Sequence, residues 1–197
     1  MIKEYLQSFG ILNNDEIEKF EQNLITQKIL KNSYLIKEGE ICNEVAFILN
    51  GIFRSYYTTE KGDEITYCLT FPQNFITAYS SFITGNGSKE NIQAITNAEI
   101  LIINKQYIQN LESNNSNWTK FLKVIAEQQY INLENRIFEF QKNNALERYN
   151  NLINHHPEYV QNIPLQHLAS FLGITQRHLS RIRREIDLSP QHIEFKK

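Results

Sequence analysis

PLQHLASFLGITQRHLSRIRREI, residues 164–186, decides how the C-terminal part of the chain reads. Leu168, Ala169, Leu172, Ile174, Leu179 and Ile182 are its small or apolar positions, and Gly173 stands where two short helices must turn. Ala169 is small enough for the helices to cross closely, and a glycine in the turn takes a positive φ at little cost. Gln176, Arg177, His178, Ser180, Arg181, Arg183 and Arg184 are left for the outer face of the second helix. An apolar inner face with a basic, hydrogen-bonding outer face is the pattern of a helix-turn-helix that sets its second helix in a DNA major groove. A plain helical hairpin with a solvated basic face is the alternative.

Charge supports the first reading. The formal net charge of the 197 residues is −2. Residues 1–144 carry 13 Lys/Arg against 17 Asp/Glu, whereas residues 145–197 carry 7 against 5. Four of those seven are arginines between 177 and 184. An acidic body with one basic patch orients a protein on DNA. At 41% hydrophobic and 21% charged residues, the composition is that of a soluble globular chain of one or two domains. No run of about 18 apolar residues occurs, so no membrane partner is expected. MIKEYLQSFG at the N-terminus lacks an apolar signal core, and the expected location is cytoplasmic. Two cysteines, Cys42 and Cys68, are too few for a disulfide scaffold or a four-cysteine iron–sulfur cluster. They read as small core residues, with a thiol switch as the lesser alternative.

Working outward, residues 1–25 read as a packing helix, with Asn14 as cap before Asp15 and Glu16. From about 26 to 103 short β-rich runs follow: Tyr34–Ile36, Val45–Leu49, Ile52–Thr58, Glu64–Thr70, Asn91–Ile95 and Ile100–Ile103. Five of the seven glycines lie between 39 and 87, among turn signals that include Asn50-Gly51, expected to close a hairpin. Such texture predicts an antiparallel sandwich or jelly roll. Residues 116–142 predict one long helix without Gly or Pro, capped by Ser116 or Asn117. It carries two stripes. Ala126, Tyr130, Leu133, Ile137 and Phe140 are expected to cover the β domain, and Phe121, Val124, Gln128, Ile131, Asn135 and Phe138 to form a homodimer seam in which Gln128 and Asn135 fix register. Asn143-Asn144 read as a hinge. Ala145–His155 reads as an amphipathic helix ended by His156-Pro157, and Tyr159–Ile163 as an extended lead.

The fold class is therefore α+β: a sensor domain over 1–115, a linker and dimerisation helix over 116–142, and a helix-turn-helix domain over 143–197. In this order the chain resembles, over nearly its whole length, the cyclic-AMP receptor protein / fumarate-nitrate regulator (CRP/FNR) family of bacterial transcription factors. The resemblance is carried by Tyr34-Leu-Ile-Lys-Glu-Gly-Glu40, Val45-Ala-Phe-Ile-Leu-Asn-Gly51, Asn74-Phe75-Ile76 and Asn97-Ala-Glu-Ile-Leu-Ile-Ile103. Ala145-Leu-Glu-Arg-Tyr149, Ile163-Pro-Leu165, Gly173-Ile-Thr175 and Ser180-Arg-Ile182 resemble short members from Bacteroidetes-like bacteria.

The resemblance implies a double-stranded β-helix that binds an effector, and RNA polymerase as a partner. In the family, a Gly-Glu-Leu element supplies a carboxylate to a ribose hydroxyl, and an Arg-Ser pair holds a cyclic phosphate. Thr77-Ala78-Tyr79 and Ser88-Lys89 stand in those places here. With acid and arginine both absent, an anionic phosphate lacks its fixed partner, and the pocket is expected to be degenerate for cyclic AMP, holding an unknown small-molecule effector or none. The family's base-contacting Thr-Ser pair on the long helix corresponds to Leu133 and Glu134, beside Tyr130. All five histidines lie at or after 155, which leaves the β domain without imidazole ligands for haem or metal and without the ligands of a jelly-roll enzyme. No cofactor is identified and no enzyme is expected.

On the second helix, Gln176, Arg177 and Arg181 match the family's base-reading positions. Gln166, Thr175, His178, Ser180, Arg183 and Arg184 are candidates for backbone contacts. Gln176-Arg177 replaces the family's frequent Arg-Glu, so the preferred half-site differs. Asp187–Lys197 is too short for a full C-terminal wing. The competing function is a small-molecule sensor whose C-terminal helices bind a protein rather than double-stranded DNA.

Overall fold

A computed structural model describes residues 2–187 of the chain. The question of a C-terminal wing falls on residues outside that range. The chain begins with α1 (Ile2–Gln7) and α2 (Asn14–Glu21). Gly10, at φ +64°, breaks what reads in sequence as one helix. Asn13, not Asn14, caps α2: its side chain accepts from Glu16 N while Glu16 reaches back to Asn13 N. Either asparagine could begin the helix, but only Asn13 stands three residues before a glutamate, the spacing of a capping box.

Eight strands follow, interrupted by one short helix. They are β1 (Ile25–Ile29), β2 (Tyr34–Ile36), β3 (Glu44–Asn50), β4 (Phe53–Thr58), β5 (Glu64–Thr70), β6 (Phe75–Ile76), α3 (Tyr79–Thr84), β7 (Asn91–Ala94) and β8 (Ala98–Asn104). They form two four-stranded antiparallel sheets, ordered β1-β8-β3-β6 and β2-β7-β4-β5. This is the jelly-roll-like architecture that the punctuated β texture predicts. The six predicted runs fall on strands; β1 and β6 went unread.

The expected hairpin at Asn50-Gly51 is not one. β3 and β4 belong to different sheets, so these residues carry the chain across from one to the other. Gly51 has φ +96°, and a Cβ there would lie 2.4 Å from Ala98 Cβ and 2.7 Å from Ala98 Cα. The glycine is required by that close approach, not by a two-residue turn.

Strand alternation sorts the core. Ala46 and Ile48 of β3 and Ile100 and Ile102 of β8 point between the sheets, where they meet Phe53, Ile76, Ile92 and Ala94. Phe47 and Ile103 point the other way, onto Leu6, Ile17, Phe20, Trp118 and Phe121. Burying an aromatic or aliphatic side chain of this size contributes about 1.5–3 kcal/mol, so each face of β3 holds its own layer.

α4 (Lys105–Asn114) leads into α5 (Ser116–Lys142), capped by Asn115 rather than Ser116 or Asn117. Only its first turns pack on the β domain, through Trp118 and Phe121. Tyr130, Leu133 and Ile137, expected to cover that domain, are 67%, 58% and 49% exposed. Then come α6 (Ala145–His155), α7 (Pro157–Val160), α8 (Leu165–Phe171) and α9 (Gln176–Asp187). α6 has a capping box between Asn144 and Glu147. The expected extended lead after His156 is partly helical: Pro157 ends α6 yet occupies the first turn of α7, where its missing N–H costs nothing.

Candidate nucleic-acid interface and effector pocket

The turn between α8 and α9 is built from backbone geometry that the sequence encodes locally. Gly173 adopts φ +68°. Its N–H donates to Ser170 O and the Ile174 N–H to Ala169 O, each at 3.0 Å. These are the two bonds of a Schellman motif, which needs a left-handed residue where Gly173 stands. Thr175 then starts α9, its hydroxyl accepting from His178 N at 3.2 Å. Leu179 and Ile182 are buried against Leu168, Ala169 and Leu172.

With that face inward, Gln176, Arg177, Arg181 and Arg184 are exposed, as are Thr175 and Gln166, while His178 and Ser180 are half-buried. The Arg181 side chain is 70% exposed and pairs loosely with Glu185 at 3.8 Å. Arg183 is less free: its Nε donates to Tyr149 Oη at 3.0 Å. Three exposed arginines on one helix face present guanidinium forks that match phosphates and guanine edges.

Two residues that sequence reasoning missed hold this unit to the long helix. Arg136 of α5 donates to Phe171 O at 2.6 Å, and Arg148 of α6 donates to Leu172 O at 2.9 Å. Both carbonyls belong to the C-terminal end of α8, the negative end of its dipole. Arg136 also lies 3.6 Å from the Phe171 ring centroid and 4.5 Å from that of Phe140. Burial lowers its pKa to about 10. Phe140 itself abuts the turn: a Cβ on Gly173 would come 2.8 Å from its Cε1. No local pattern distinguishes these arginines from solvated helix charges.

Phe121, expected in a dimer seam, is 2% exposed and packs on Phe9 and Trp118 of its own chain. Its position so early in α5 puts it under the segment that follows α1, whose Phe9 meets its ring edge-on. Gln128, Ile131, Asn135 and Phe138 remain exposed and Val124 half-buried. Tyr130, Leu133 and Glu134 are also exposed, and none of them lines the cavity beside Thr77 and Ala78.

The Thr77 hydroxyl donates to Glu44 O at 2.8 Å and lies 3.2 Å from Cys42 Sγ. Ala78 is buried at the start of α3, and Tyr79 is 50% exposed. A cavity of about 230 Å³ opens beside Thr77 and Ala78, walled by Leu35, Ile36, Ile41 and Cys42. Ser88 is buried and its hydroxyl donates to Glu90 O at 2.7 Å, whereas Lys89 points to solvent. The charged group that turns inward is Glu90. It accepts from Tyr67 Oη and lies against the Ser55 hydroxyl, and burial raises its pKa. Neither Ser88, Lys89 nor Glu90 lines the cavity beside Thr77 and Ala78, whose charged lining residues are Glu40 and Glu44. Burial also raises the pKa of the Cys68 thiol, which disfavours the reactive thiolate.

Residues 26–115 match the family described as the cyclic nucleotide-binding domain. The fold is similar to that of FixK2 from Bradyrhizobium japonicum, at 14% identity over 83% of this chain and 84% of that one, with a TM-score of 0.74. It is similar also to a putative transcriptional regulator of the Crp/Fnr family from Eubacterium rectale, at 18% identity over 94% and 88%, TM-score 0.70. A third likeness is to the c-di-GMP-responsive global regulator CLP of Xanthomonas campestris, at 12% identity over 89% and 92%, TM-score 0.63. Among curated proteins, none matches the sequence. The chain therefore has a cyclic nucleotide-binding-type β domain and a long helix, arranged as in regulators of the Crp/Fnr kind. No helix among the described residues is long and apolar enough to cross a membrane.

Proposed function

We propose that this chain is a homodimeric, CRP/FNR-type transcription regulator that binds double-stranded DNA through α9, with an effector pocket degenerate for cyclic AMP. The observation that carries the reading is the outward face of α9, where Gln176, Arg177, Arg181 and Arg184 stand exposed on a helix set by a Schellman turn. Residues 1–115 act as the sensor, 116–142 as the dimer helix and 143–197 as the helix-turn-helix domain. Gln176, Arg177 and Arg181 read bases. Gln166, Thr175, His178, Ser180 and Arg184 position the backbone, with Arg183 available only on leaving Tyr149. Two copies of α5 meet along Val124, Gln128, Ile131, Asn135 and Phe138. Two-fold half-sites about one helical turn apart follow, and RNA polymerase is the partner at the promoter. The cavity beside Thr77 and Ala78 is lined by Glu40 and Glu44 and by no basic residue, which supports an effector other than a cyclic nucleotide.

Selection from a random duplex pool with the purified protein tests this. An enriched two-fold motif is the expected result. Arg181→Ala is expected to cost about 1–3 kcal/mol on that motif. Absence of duplex binding, with affinity insensitive to salt, favours instead a sensor whose C-terminal helices dock to protein.

A further inference from the structure

β4 and β5 carry different chemistry on their two sides, because neighbouring residues of a strand point to opposite faces. One side holds the Ser55–Tyr67–Glu90 cluster. The other receives α8. There Arg54, 3% exposed, makes four hydrogen bonds through its guanidinium. Nε and Nη2 donate to Gln93 Oε1 at 2.9 and 2.6 Å, Nη2 to Glu64 Oε2 at 2.6 Å, and Nη1 to His167 Nδ1 at 2.8 Å. The plane of the group lies over Tyr56, 3.9 Å from its ring centroid. A guanidinium has no acceptor atom, so His167 Nδ1 is the acceptor and the imidazole is neutral, its proton on Nε2.

One helical turn later, Ser170 Oγ accepts from Thr66 N at 2.9 Å and donates to Glu64 O at 3.3 Å. β5 is the edge of its sheet, so Ser170 completes hydrogen bonds that a further strand would otherwise make. The seat is imperfect. Thr66 Oγ1, within it, is buried with no hydrogen-bond partner, and is alone in this among the side chains of the described residues. Lifting α8 lets water satisfy that hydroxyl. The seat also sets the leading end of α8 beside Glu64, which Arg54 pairs, at the end of a turn in which Glu60 and Asp63 outnumber Lys61.

We propose that this seat is a releasable, autoinhibitory latch. Docked on Arg54 and Thr66, α8 is held with its leading end, which carries Gln166 and His167, against a hairpin of net negative charge, where a phosphate is less welcome; released, the C-terminal helices engage duplex DNA more tightly. The inference rests on the DNA-binding reading above. The same two strands carry the Glu90 cluster, so an effector reaching Glu90 and Tyr67 acts on the latch one residue away.

The test uses the full-length protein and two substitutions that leave the net charge of the neutral imidazole unchanged. His167→Ala removes the acceptor for Arg54. His167→Asn keeps an oxygen in its place. Hydrogen exchange over residues 64–70 reads the seat directly, and affinity for a random duplex reads its consequence. His167→Ala is expected to speed exchange at the Thr66 amide and to tighten duplex binding about tenfold, the factor that 1.4 kcal/mol of lost restraint corresponds to. His167→Asn is expected to match the parent in both. Unchanged exchange in His167→Ala overturns the latch, and faster exchange with unchanged or weaker duplex binding overturns its inhibitory role. Should His167→Ala fail to fold, Ser170→Ala, which removes the partner of Thr66 N–H, takes its place with the duplex readout alone. Duplex binding by no variant and not by the parent overturns the DNA reading and the inhibitory role with it, while exchange still reports whether α8 releases.

Discussion

Replacing Gly173 with alanine tests how the α8–α9 turn is held against the long helix. Two costs arise. At φ +68° an L side chain sits in the left-handed region, which costs roughly 1–2 kcal/mol. The new Cβ would also lie 2.8 Å from Phe140 Cε1. Phe140 is 40% exposed, so its ring can swing clear, but it then leaves Arg136 at 4.5 Å and Arg148 at 4.8 Å. Each such cation–π contact contributes about 0.5–1 kcal/mol at exposed sites. Alanine returns about 0.4–1 kcal/mol by restricting the unfolded chain. The balance is a loss of about 1–3.5 kcal/mol, or roughly 2–14 °C in melting temperature for a chain of this size. Thermal denaturation measures it. The Phe140→Ala background separates the two parts, because only the backbone cost remains there. A loss below about 0.5 kcal/mol would falsify the left-handed turn. An equal loss in both backgrounds would mean that Phe140 does not press on Gly173.

Three other outcomes are expected. Ile131→Asp or Phe138→Asp, each placing a charge on an exposed apolar position of α5, turns a dimer into a monomer in analytical ultracentrifugation; a parent that is already monomeric at micromolar concentration refutes the seam. The His167 pKa is held down to about 4 by burial and by Arg54, against the opposing pull of Glu64. Its contribution is therefore complete above the unfolded value near 6.5 and is lost as pH falls toward 4. The parent should lose stability relative to His167→Asn over that window, and a difference flat from pH 7 to 4.5 contradicts the neutral imidazole. Cyclic AMP and cyclic GMP at millimolar concentration should leave the melting temperature unmoved, since Glu40 and Glu44 line the cavity and no basic residue does; a saturable rise refutes the degenerate pocket.

Periodicity and turn chemistry act over a few residues, and what depends on them is legible in the chain. The helix over 116–142 follows from the lack of Gly and Pro across two apolar stripes. The α8–α9 turn follows from one glycine between two apolar faces, since only a left-handed residue closes a Schellman motif. The alternation of Ala46, Phe47 and Ile48 announces a strand buried on both sides. Ranges shorter than a helical turn are already less certain: Asn13 and Asn14 compete for one cap, and Asn50-Gly51 looks the same at a hairpin as at a crossing between sheets. The tertiary structure decided what depends on pairing across the chain. Arg54 and His167, 113 residues apart, meet because β4 is an interior strand next to the edge strand β5, on which α8 lands. Glu90 turns inward because Tyr67, 23 residues away, hydrogen-bonds it there. Phe121 leaves the helix seam because Phe9, in the segment that follows α1, packs on it. The sequence by itself determined six of the strands, the long helix, the α8–α9 pair and which face of α9 is basic, because a residue's own conformational preference and its near neighbours settle those questions. Which arginine is buried, which carboxylate is held against a tyrosine and which apolar residues stay exposed were decided only by long-range packing, where the free energy belongs to pairs that no local pattern names.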